Sequence, residues 1–290
     1  MTSATNRGVR WVAVEAVAAL ATLVLLAGCL GVTSTGNAGG NGYRGDSDLS
    51  DDGGDLNGSN VNGSAGAFDG SASDPRSVAG SGRLTSRLVA LPGVTSVVAG
   101  ANFVVRVTVG EPEQATVEMD DNLTELVEAT VRGHELRLGL KPDARVRNAT
   151  LTAGITVRSL DRLSALGASE VTLVSALTGP VLRLVVSGAS QVTGPVGVDR
   201  ADAAVSGAST LTLSGQVRDL HLSGVGASRL QLAGLAVRNL DVVLAGASQA
   251  SVAVGDTLAA QAAGASTLRY RGTPNITRRQ TSGASSIRPE

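Results

Sequence analysis

Seven serines that recur at nearly regular intervals are the first candidates for chemistry in this chain, because a serine becomes a nucleophile beside a general base. Each ends a Gly-Ala-Ser triplet. The serines are Ser169, Ser190, Ser209, Ser228, Ser248, Ser266 and Ser285, and the glycines are Gly167, Gly188, Gly207, Gly226, Gly246, Gly264 and Gly283. The two histidines that could serve as the base, His134 and His221, are not close to the serines in sequence. We therefore predict a structural role for the serines and no catalytic residues.

The spacing of the triplets predicts a repeat architecture, since successive glycines are 21, 19, 19, 20, 18 and 19 residues apart. After each serine the first residue is polar, the second apolar and the third polar, which is the alternation of a strand with one buried face. The apolar second positions are Val171, Val192, Leu211, Leu230, Ala250, Leu268 and Ile287. Apolar residues also alternate before the triplet, as at Leu240, Val242 and Leu244. Each repeat thus indicates a strand, a Gly-Ala-Ser bend, a strand and a short turn.

A coil of about 19 residues that stacks on its neighbours about 4.8 Å away is a parallel β-solenoid, and we predict this all-β fold. The glycine provides the permissive backbone angles that a bend requires. The serine has the same parity as the buried second position. We therefore expect an inward-facing row of serines whose hydroxyls satisfy backbone groups at the bend.

The segment from Arg83 to Ser159 keeps the alternation of strands but lacks the triplet. Strands are expected at 103–109, 115–119, 135–140 and 154–159. Residues 122–131 fit either a short helix or another strand. We expect this segment to begin the solenoid and to cover its first open edge.

The single cysteine, Cys29, cannot form an internal disulfide. Two arginines and then an apolar run from Trp11 to Leu26 precede it, which is typical of a signal peptide and short for a transmembrane helix. The run ends in Leu26-Ala27-Gly28-Cys29, which resembles the bacterial lipobox. This resemblance implies cleavage before Cys29 and acylation of that residue. Residues 1–28 are therefore predicted to be a lipoprotein signal peptide.

Residues 29–82 are predicted to be the lipidated Cys29 followed by a disordered tether. The segment is dominated by Gly, Ser, Asn and Asp and has few large apolar residues, so it cannot bury enough surface to offset its ordering entropy. A coil of this composition has an r.m.s. span of about 40 Å. The tether would hold the body, residues 83–290, away from the lipid head groups.

Composition excludes several classes of function. The 24 basic and 25 acidic residues nearly cancel, so we predict no nucleic-acid partner. The sequence shows no metal-ligand cluster and no Gly-rich phosphate loop, so neither a metal nor a cofactor is predicted. An enzyme that acts on polysaccharides would need clustered carboxylates on one face, and no acidic pair recurs in register along the repeats.

Several motifs together resemble the head domain of autotransporter adhesins, the GIN domain, a family of bacterial envelope proteins of unknown function. They are Leu91-Pro92-Gly93-Val94, the stretch from Gly100 to Val107 with Gly110 at the turn, Asn122-Leu123 before Leu136-Arg137-Leu138, and the triplets. The resemblance covers about 83–290. It implies a right-handed parallel β-helix at the cell surface.

Taken together, these features predict an exported protein that is lipid-anchored in the cell membrane or outer membrane and faces outside the cytoplasm. The first hypothesis for the body is a non-enzymatic binding or adhesion module. Its partners would be the membrane, through the lipid, and a surface glycan or protein. An envelope scaffold and a polysaccharide-acting β-helical enzyme are the alternatives.

Overall fold

Parallel coils of about 19 residues stack to form the body of the protein, which confirms the predicted β-solenoid. The computed structural model describes residues 77–290. The predicted signal peptide, Cys29 and the tether as far as residue 76 lie outside the described residues. No helix in 77–290 is long and apolar enough to cross a membrane.

Nineteen strands and one 3₁₀ turn, Asp121–Leu123, make up the described secondary structure. The strands are β1 (Val78–Ala79), β2 (Leu84–Ala90), β3 (Ser96–Ala99), β4 (Val104–Val109), β5 (Gln114–Asp120), β6 (Val127–Arg132), β7 (Glu135–Leu140), β8 (Val146–Arg147), β9 (Leu151–Val157), β10 (Arg162–Ala165), β11 (Glu170–Leu173), β12 (Leu177–Val186), β13 (Gln191–Val205), β14 (Thr210–Gly224), β15 (Arg229–Leu244), β16 (Gln249–Ala262), β17 (Thr267–Arg271), β18 (Asn275–Thr281) and β19 (Ser286–Pro289).

Each Gly-Ala-Ser bend joins two parallel sheets, which we call the back sheet and the front sheet. The back sheet contains the segments that precede the bends, namely β3, β10, β12, the second halves of β13 to β16, and β18. The front sheet contains the segments that follow the bends, namely β4, β11, the first halves of β13 to β16, β17 and β19. Equivalent residues of successive coils therefore lie side by side in each sheet.

Rows of aliphatic side chains fill the space between the sheets, because alternate residues of every coil point inward. The second residue after each repeated serine is at most 4% exposed, whereas its two neighbours face solvent. A matching row on the back sheet includes Leu182, Leu220, Leu240 and Leu258. Burial of each such leucine stabilises the fold by about 1.5–3 kcal/mol.

The second corner of four coils differs from the sequence prediction, since no separate turn is inserted there, whereas short turns separate β11 from β12 and β17 from β18. β13 to β16 run through this corner as continuous strands of 14 to 16 residues. Gly194 and Gly215 adopt φ angles of +148° and +105°, and the pairing of β14 with β15 shifts between Thr212 and Ser214. A glycine or a bulge can turn the chain here without ending its pairing with the neighbouring coils.

Added strands cover the first coil at the N-terminal end of the solenoid. In the front sheet, β9 pairs in parallel with β4, and β5 and then β2 follow in antiparallel order. In the back sheet, β7 pairs in parallel with β3, and β6 follows in antiparallel order. The segment 122–131, which fitted a helix or a strand, contains the end of the 3₁₀ turn and most of β6. Ala101 and Asn102, with φ of +55° and +63°, form the bend of the first coil in place of the triplet.

A buried carboxylate fixes the start of the described body. Asp120 is 1% exposed and accepts hydrogen bonds from the backbone N–H groups of Gly82 and Thr150, each at 2.7 Å. Before this point β1 pairs with β8, so strand pairing in the described residues begins at Val78, ahead of the predicted boundary at 83. The buried core residues of the described part run from Leu91 to Ile287.

Candidate functional site

The repeated serines lie inside the bends, where their hydroxyls bond the backbone. Six of the seven are at most 1% exposed, and Ser285 in the last coil is half-buried. In six of them the hydroxyl donates to the carbonyl three residues earlier at 2.8 to 2.9 Å: Ser169, Ser190, Ser228, Ser248, Ser266 and Ser285. A local bond of this kind satisfies a carbonyl that the bend would otherwise leave unpaired.

The seven glycines of the triplets form an exposed column at the same corner. Their φ angles lie between +70° and +86°, a region that L-residues rarely adopt. The backbone N–H of the alanine that follows donates to the glycine carbonyl of the preceding coil, as from Ala227 to Gly207 at 2.8 Å. Backbone hydrogen bonds therefore join the bends of successive coils, and some serine hydroxyls add a bond to the preceding coil, as from Ser285 to the Ala262 carbonyl at 2.8 Å.

The two histidines lie apart from the row of serines. His134 places its Nδ1 atom 2.6 Å from the carbonyl oxygen of Gly93. His221 faces outward from the back sheet, 4.0 Å from the carboxylate of Asp241, between the buried Leu220 and Leu222. Since the serines face inward, the described structure brings neither imidazole beside a serine hydroxyl, and the geometry supports a structural serine row.

A pair of matched substitutions tests this role. The Ser228 hydroxyl donates to the Val225 carbonyl at 2.8 Å, whereas the buried hydroxyl of Ser209 has no partner among the described residues. Ser228→Ala is expected to lower the free energy of unfolding by about 1 kcal/mol, and Ser209→Ala to leave it unchanged or raise it. Chemical denaturation of both variants measures the difference. Equal losses at the two positions would contradict the assigned hydrogen-bonding role.

The outer side of the front sheet, which we call the front face, presents two rows of side chains in register. The first row is Val104, Glu170, Gln191, Thr210, Arg229, Gln249, Thr267 and Ser286, and the second is Arg106, Thr172, Thr193, Thr212, Gln231, Ser251, Arg269 and Arg288. Strands in a sheet lie about 4.8 Å apart, so eight strands give rows about 34 Å long. Hydroxyl, amide and guanidinium groups dominate both rows.

Four arginines of the front face have no partner within residues 77–290. The guanidinium groups of these arginines, Arg106, Arg229, Arg269 and Arg288, make neither a hydrogen bond nor an ion pair there. The rows contain one carboxylate, Glu170, against these four positive charges. Arg229, Arg269 and Arg288 are exposed. The guanidinium groups are therefore free to bind an external anion.

Acidic residues accompany the basic ones on the back sheet. Arg200 lies 3.2 Å from Asp202, and Arg218 donates to Asp219 at 3.0 Å. The hydrogen bonds that Asp219 accepts from Asn239 and from Arg218 hold the pKa of its carboxyl below the ordinary value. Arg200 and Arg218 are thus paired internally, in contrast to the four front-face arginines.

A shallow depression of about 470 Å³ lies at the N-terminal end of the front face. Gly154 of β9 lines it and leaves open space where other residues would carry a side chain. The other residues around it are Arg106, Thr108, Gln114, Thr116, Ile155, Thr156 and Val174. Sequence reasoning missed this depression, because only the pairing of β4, β5 and β9 brings these residues together. One guanidinium among hydroxyls and an amide suits a negatively charged, hydroxylated ligand.

No cluster of three or more His, Cys, Asp and Glu side chains in residues 77–290 is arranged to hold a metal ion. Cys29, the predicted lipidation site, lies outside the described residues. Residues 77–290 therefore present a buried structural serine row, a polar front face with free arginines, and a depression at one end of that face.

Sequence comparison identifies a family for most of the body. The family described as "Putative auto-transporter adhesin, head GIN domain" matches residues 94–274. No curated protein matches the chain.

Solved structures share the fold at low sequence identity. A "putative adhesin" from Bacteroides fragilis has a TM-score of 0.70 at 19% identity, over 73% of this chain and 100% of its own. Those from Parabacteroides merdae and Parabacteroides distasonis each have a TM-score of 0.61, at 17% and 22% identity, over 74% and 73% of this chain and 99% of their own. At these identities the likeness establishes the solenoid fold and leaves the ligand open.

Proposed function

Since the chain belongs to the family described as the auto-transporter adhesin head GIN domain, we propose that it is a non-enzymatic adhesion module, lipid-anchored at Cys29. In this proposal the front face binds an acidic glycan. The observation that carries it is the set of four front-face arginines without a partner in the described body.

The chemistry of the front face supports an acidic glycan as the ligand. Guanidinium groups bind carboxylates and sulfates through paired, charge-assisted hydrogen bonds. The threonine, serine and glutamine side chains between them can donate to and accept from sugar hydroxyls. The aromatic residues of the described body, Phe103 and Tyr270, are 0% and 8% exposed, so neither is placed to stack on a sugar ring. Charge and hydrogen bonds would therefore supply the affinity.

The length of the face favours a polymer over a small molecule. The two rows cross eight strands, about 34 Å in all. Each exposed contact is weak by itself, because solvent and salt screen it. When several sugars of one polymer bind along the face, their binding energies add, and the entropic cost of association is incurred once. A polysaccharide can therefore bind with an affinity that its isolated sugar does not reach.

The proposed anchor and tether fit this role. Acylation at Cys29 would hold the protein to a membrane, at about 0.8 kcal/mol per buried methylene of the lipid. Residues 30–76 would then separate the body from the membrane surface, by a distance of the order of 40 Å. A binding face held in this way can reach a polymer outside the cell.

Binding to dextran sulfate and to uncharged dextran tests the ligand class. The protein, residues 30–290, is expected to bind dextran sulfate and not dextran, because the two polymers differ only in their acidic groups. Arg229→Glu with Arg269→Glu is expected to abolish that binding, measured by biolayer interferometry near physiological salt. Binding to neither polymer would overturn the proposal.

A charge-matched control separates the front face from general electrostatic attraction. Arg162 and Arg183 are exposed on the back sheet, pair in register and, like the front arginines, make no bond to another described side chain. Arg162→Glu with Arg183→Glu changes the net charge equally and is expected to leave binding largely intact. Equal loss in both variants would assign the attraction to net charge rather than to the front face.

A further inference from the structure

Within residues 77–290, the outermost strand of the front sheet, β2, has one edge without a partner. β2 pairs with β5 alone, in antiparallel register from Leu84 opposite Asp120 to Ala90 opposite Gln114. The carbonyl of Arg83 accepts from Asp121 and the N–H of Leu91 donates to Glu113, so the odd-numbered residues of this strand bond β5. The N–H and C=O groups of the even-numbered residues, from Leu84 to Ala90, therefore point to the open edge.

The side chains on this edge are apolar and uncharged. Leu84 is 58% exposed and Leu88 is 66% exposed, more than any other large apolar residue described. Ser86 and Ala90 complete the outward row. A free edge with exposed leucines and no charge is a template for another strand.

The opposite end of the solenoid is protected against such pairing. Its last strands, β18 and β19, contain Arg278, Arg279 and Arg288, followed by Pro289. Charged residues discourage the addition of a strand because their side chains would have to be desolvated. Proline discourages it because it lacks a backbone N–H donor. β6, the outermost strand of the back sheet, contains Glu128 and Arg132, whereas the outward row of β2 carries no charge and no proline.

We propose that two copies of this chain associate by antiparallel pairing of their β2 strands about a two-fold axis at Ser86. This register places Leu84 of each copy opposite Leu88 of the other and Ser86 opposite Ser86. The even-numbered residues then exchange backbone hydrogen bonds, about six in all. On the inner side Arg87 lies opposite Thr85 of the second copy.

Comparison with the symmetric register shifted by one residue supports this choice. An axis at Arg87 would place the two Arg87 side chains directly opposite each other, where like charges are destabilising. It would also set each leucine against Ser86 or Ala90 and lose the leucine pairs. An isologous interface requires that the same surface be complementary to itself about a two-fold axis. The β2 edge meets this requirement about Ser86, so a second copy fits here.

The association would be weak in solution and stronger at a membrane. One strand pair covers less than the roughly 1,200–2,000 Å² that a stable protein interface buries. Copies anchored on one membrane would meet at a much higher effective concentration. The pairing also joins two front sheets edge to edge, which would double the surface presented to a polymer.

Disulfide trapping tests the register directly. Residues 30–290 contain no cysteine, so Ser86→Cys introduces a single thiol. Opposed residues of a hydrogen-bonded antiparallel pair have Cα atoms about 5.5 Å apart, within the range that a disulfide spans. Ser86→Cys is expected to form a covalent dimer under mild oxidation. Ser214→Cys, exposed away from β2, is expected to remain monomeric. Equal cross-linking of the two variants would overturn the proposal.

A charge-swap experiment identifies the partner as a second copy. Sedimentation of residues 30–290 at high concentration is expected to detect a dimer, and Leu84→Lys with Leu88→Lys is expected to abolish it. Leu84→Glu with Leu88→Glu should also abolish the dimer when this variant is present alone. A mixture of the lysine and glutamate variants should restore a dimer, because opposite charges then lie across the interface. A wild-type chain that stays monomeric at every concentration, or a mixture that does not associate, would overturn the pairing. Neither result bears on the proposed glycan binding, which is measured separately on the front face.

Discussion

Gly246→Ala is expected to lower the free energy of unfolding by about 2–5 kcal/mol, among the largest losses for a single added methyl group in this body. Gly246 has a φ of +80°, and a Cβ atom there would lie 2.6 Å from the carbonyl oxygen of Gly226 in the preceding coil. The left-handed backbone alone costs an L-residue about 1–2 kcal/mol. The rest of the loss comes from forcing the two coils apart. Thermal or denaturant unfolding of residues 30–290 measures the loss.

Gly167→Ala provides the matched control. Gly167 has nearly the same φ, +77°, but its added Cβ would lie 3.6 Å from the nearest atom, the backbone nitrogen of Ala101. This variant should therefore lose only the cost of the backbone conformation, about 1–2 kcal/mol. If the two variants lose the same free energy of unfolding, the close stacking of the glycines does not contribute to the loss. The left-handed backbone conformation alone would then explain the repeated glycine.

Asp120→Ala is expected to destabilise the N-terminal end of the body by about 2–4 kcal/mol. Each carboxylate oxygen accepts one backbone N–H, from Gly82 and from Thr150, and a hydrogen bond to a charged group contributes about 1.5–3 kcal/mol. The variant removes both acceptors and leaves the donors unpaired. Hydrogen exchange at Gly82 and Thr150, together with denaturant unfolding, measures the effect.

Asp121→Ala is the control for this prediction, because the neighbouring carboxylate is exposed. It accepts from the Ser81 hydroxyl and lies 3.7 Å from Arg83, and exposed pairs of this kind contribute less than about 1 kcal/mol. Protection at Gly82 should therefore survive in Asp121→Ala and disappear in Asp120→Ala. The reverse order would show that Asp120 does not anchor this segment.

The repeated coils could be predicted from the sequence because their signal is local. Within ten residues of each triplet, the alternation of polar and apolar residues indicates which side chains face the core. The inward position of Val192, Leu211 and Leu230 follows from that pattern alone. The same pattern predicts that the serines face inward. At the bend the Ser228 hydroxyl donates a hydrogen bond to the Val225 carbonyl.

The corners and the N-terminal end could not be predicted in the same way. Whether Gly215 opens a loop or a bulge inside a continuous strand depends on its neighbours in the adjacent coils, which the local sequence does not state. The pairing of Leu84 with Asp120 joins residues far apart in the chain, and many registers fit the same alternation. The depression near Gly154 and the open edge of β2 both arise from this long-range pairing.

The front face was visible in the sequence only in part. The pattern places Thr210, Thr212 and Gln231 outward, with Arg229 and Arg269 among them. Charge balance over the chain suggested no special surface, since basic and acidic residues nearly cancel. The distribution of carboxylates between the two sheets, which leaves the front arginines without partners, emerges only when the coils are stacked.

Adhesion of vesicles that contain the full acylated chain to a surface coated with dextran sulfate tests the central claim most directly. Vesicles with the wild-type protein should adhere, and those with Arg229→Glu and Arg269→Glu should wash away while those with Arg162→Glu and Arg183→Glu stay bound. That result would join the anchor, the tether and the front face in one adhesive function. Vesicles that fail to adhere with the wild-type chain, or that adhere equally with all three, would contradict it.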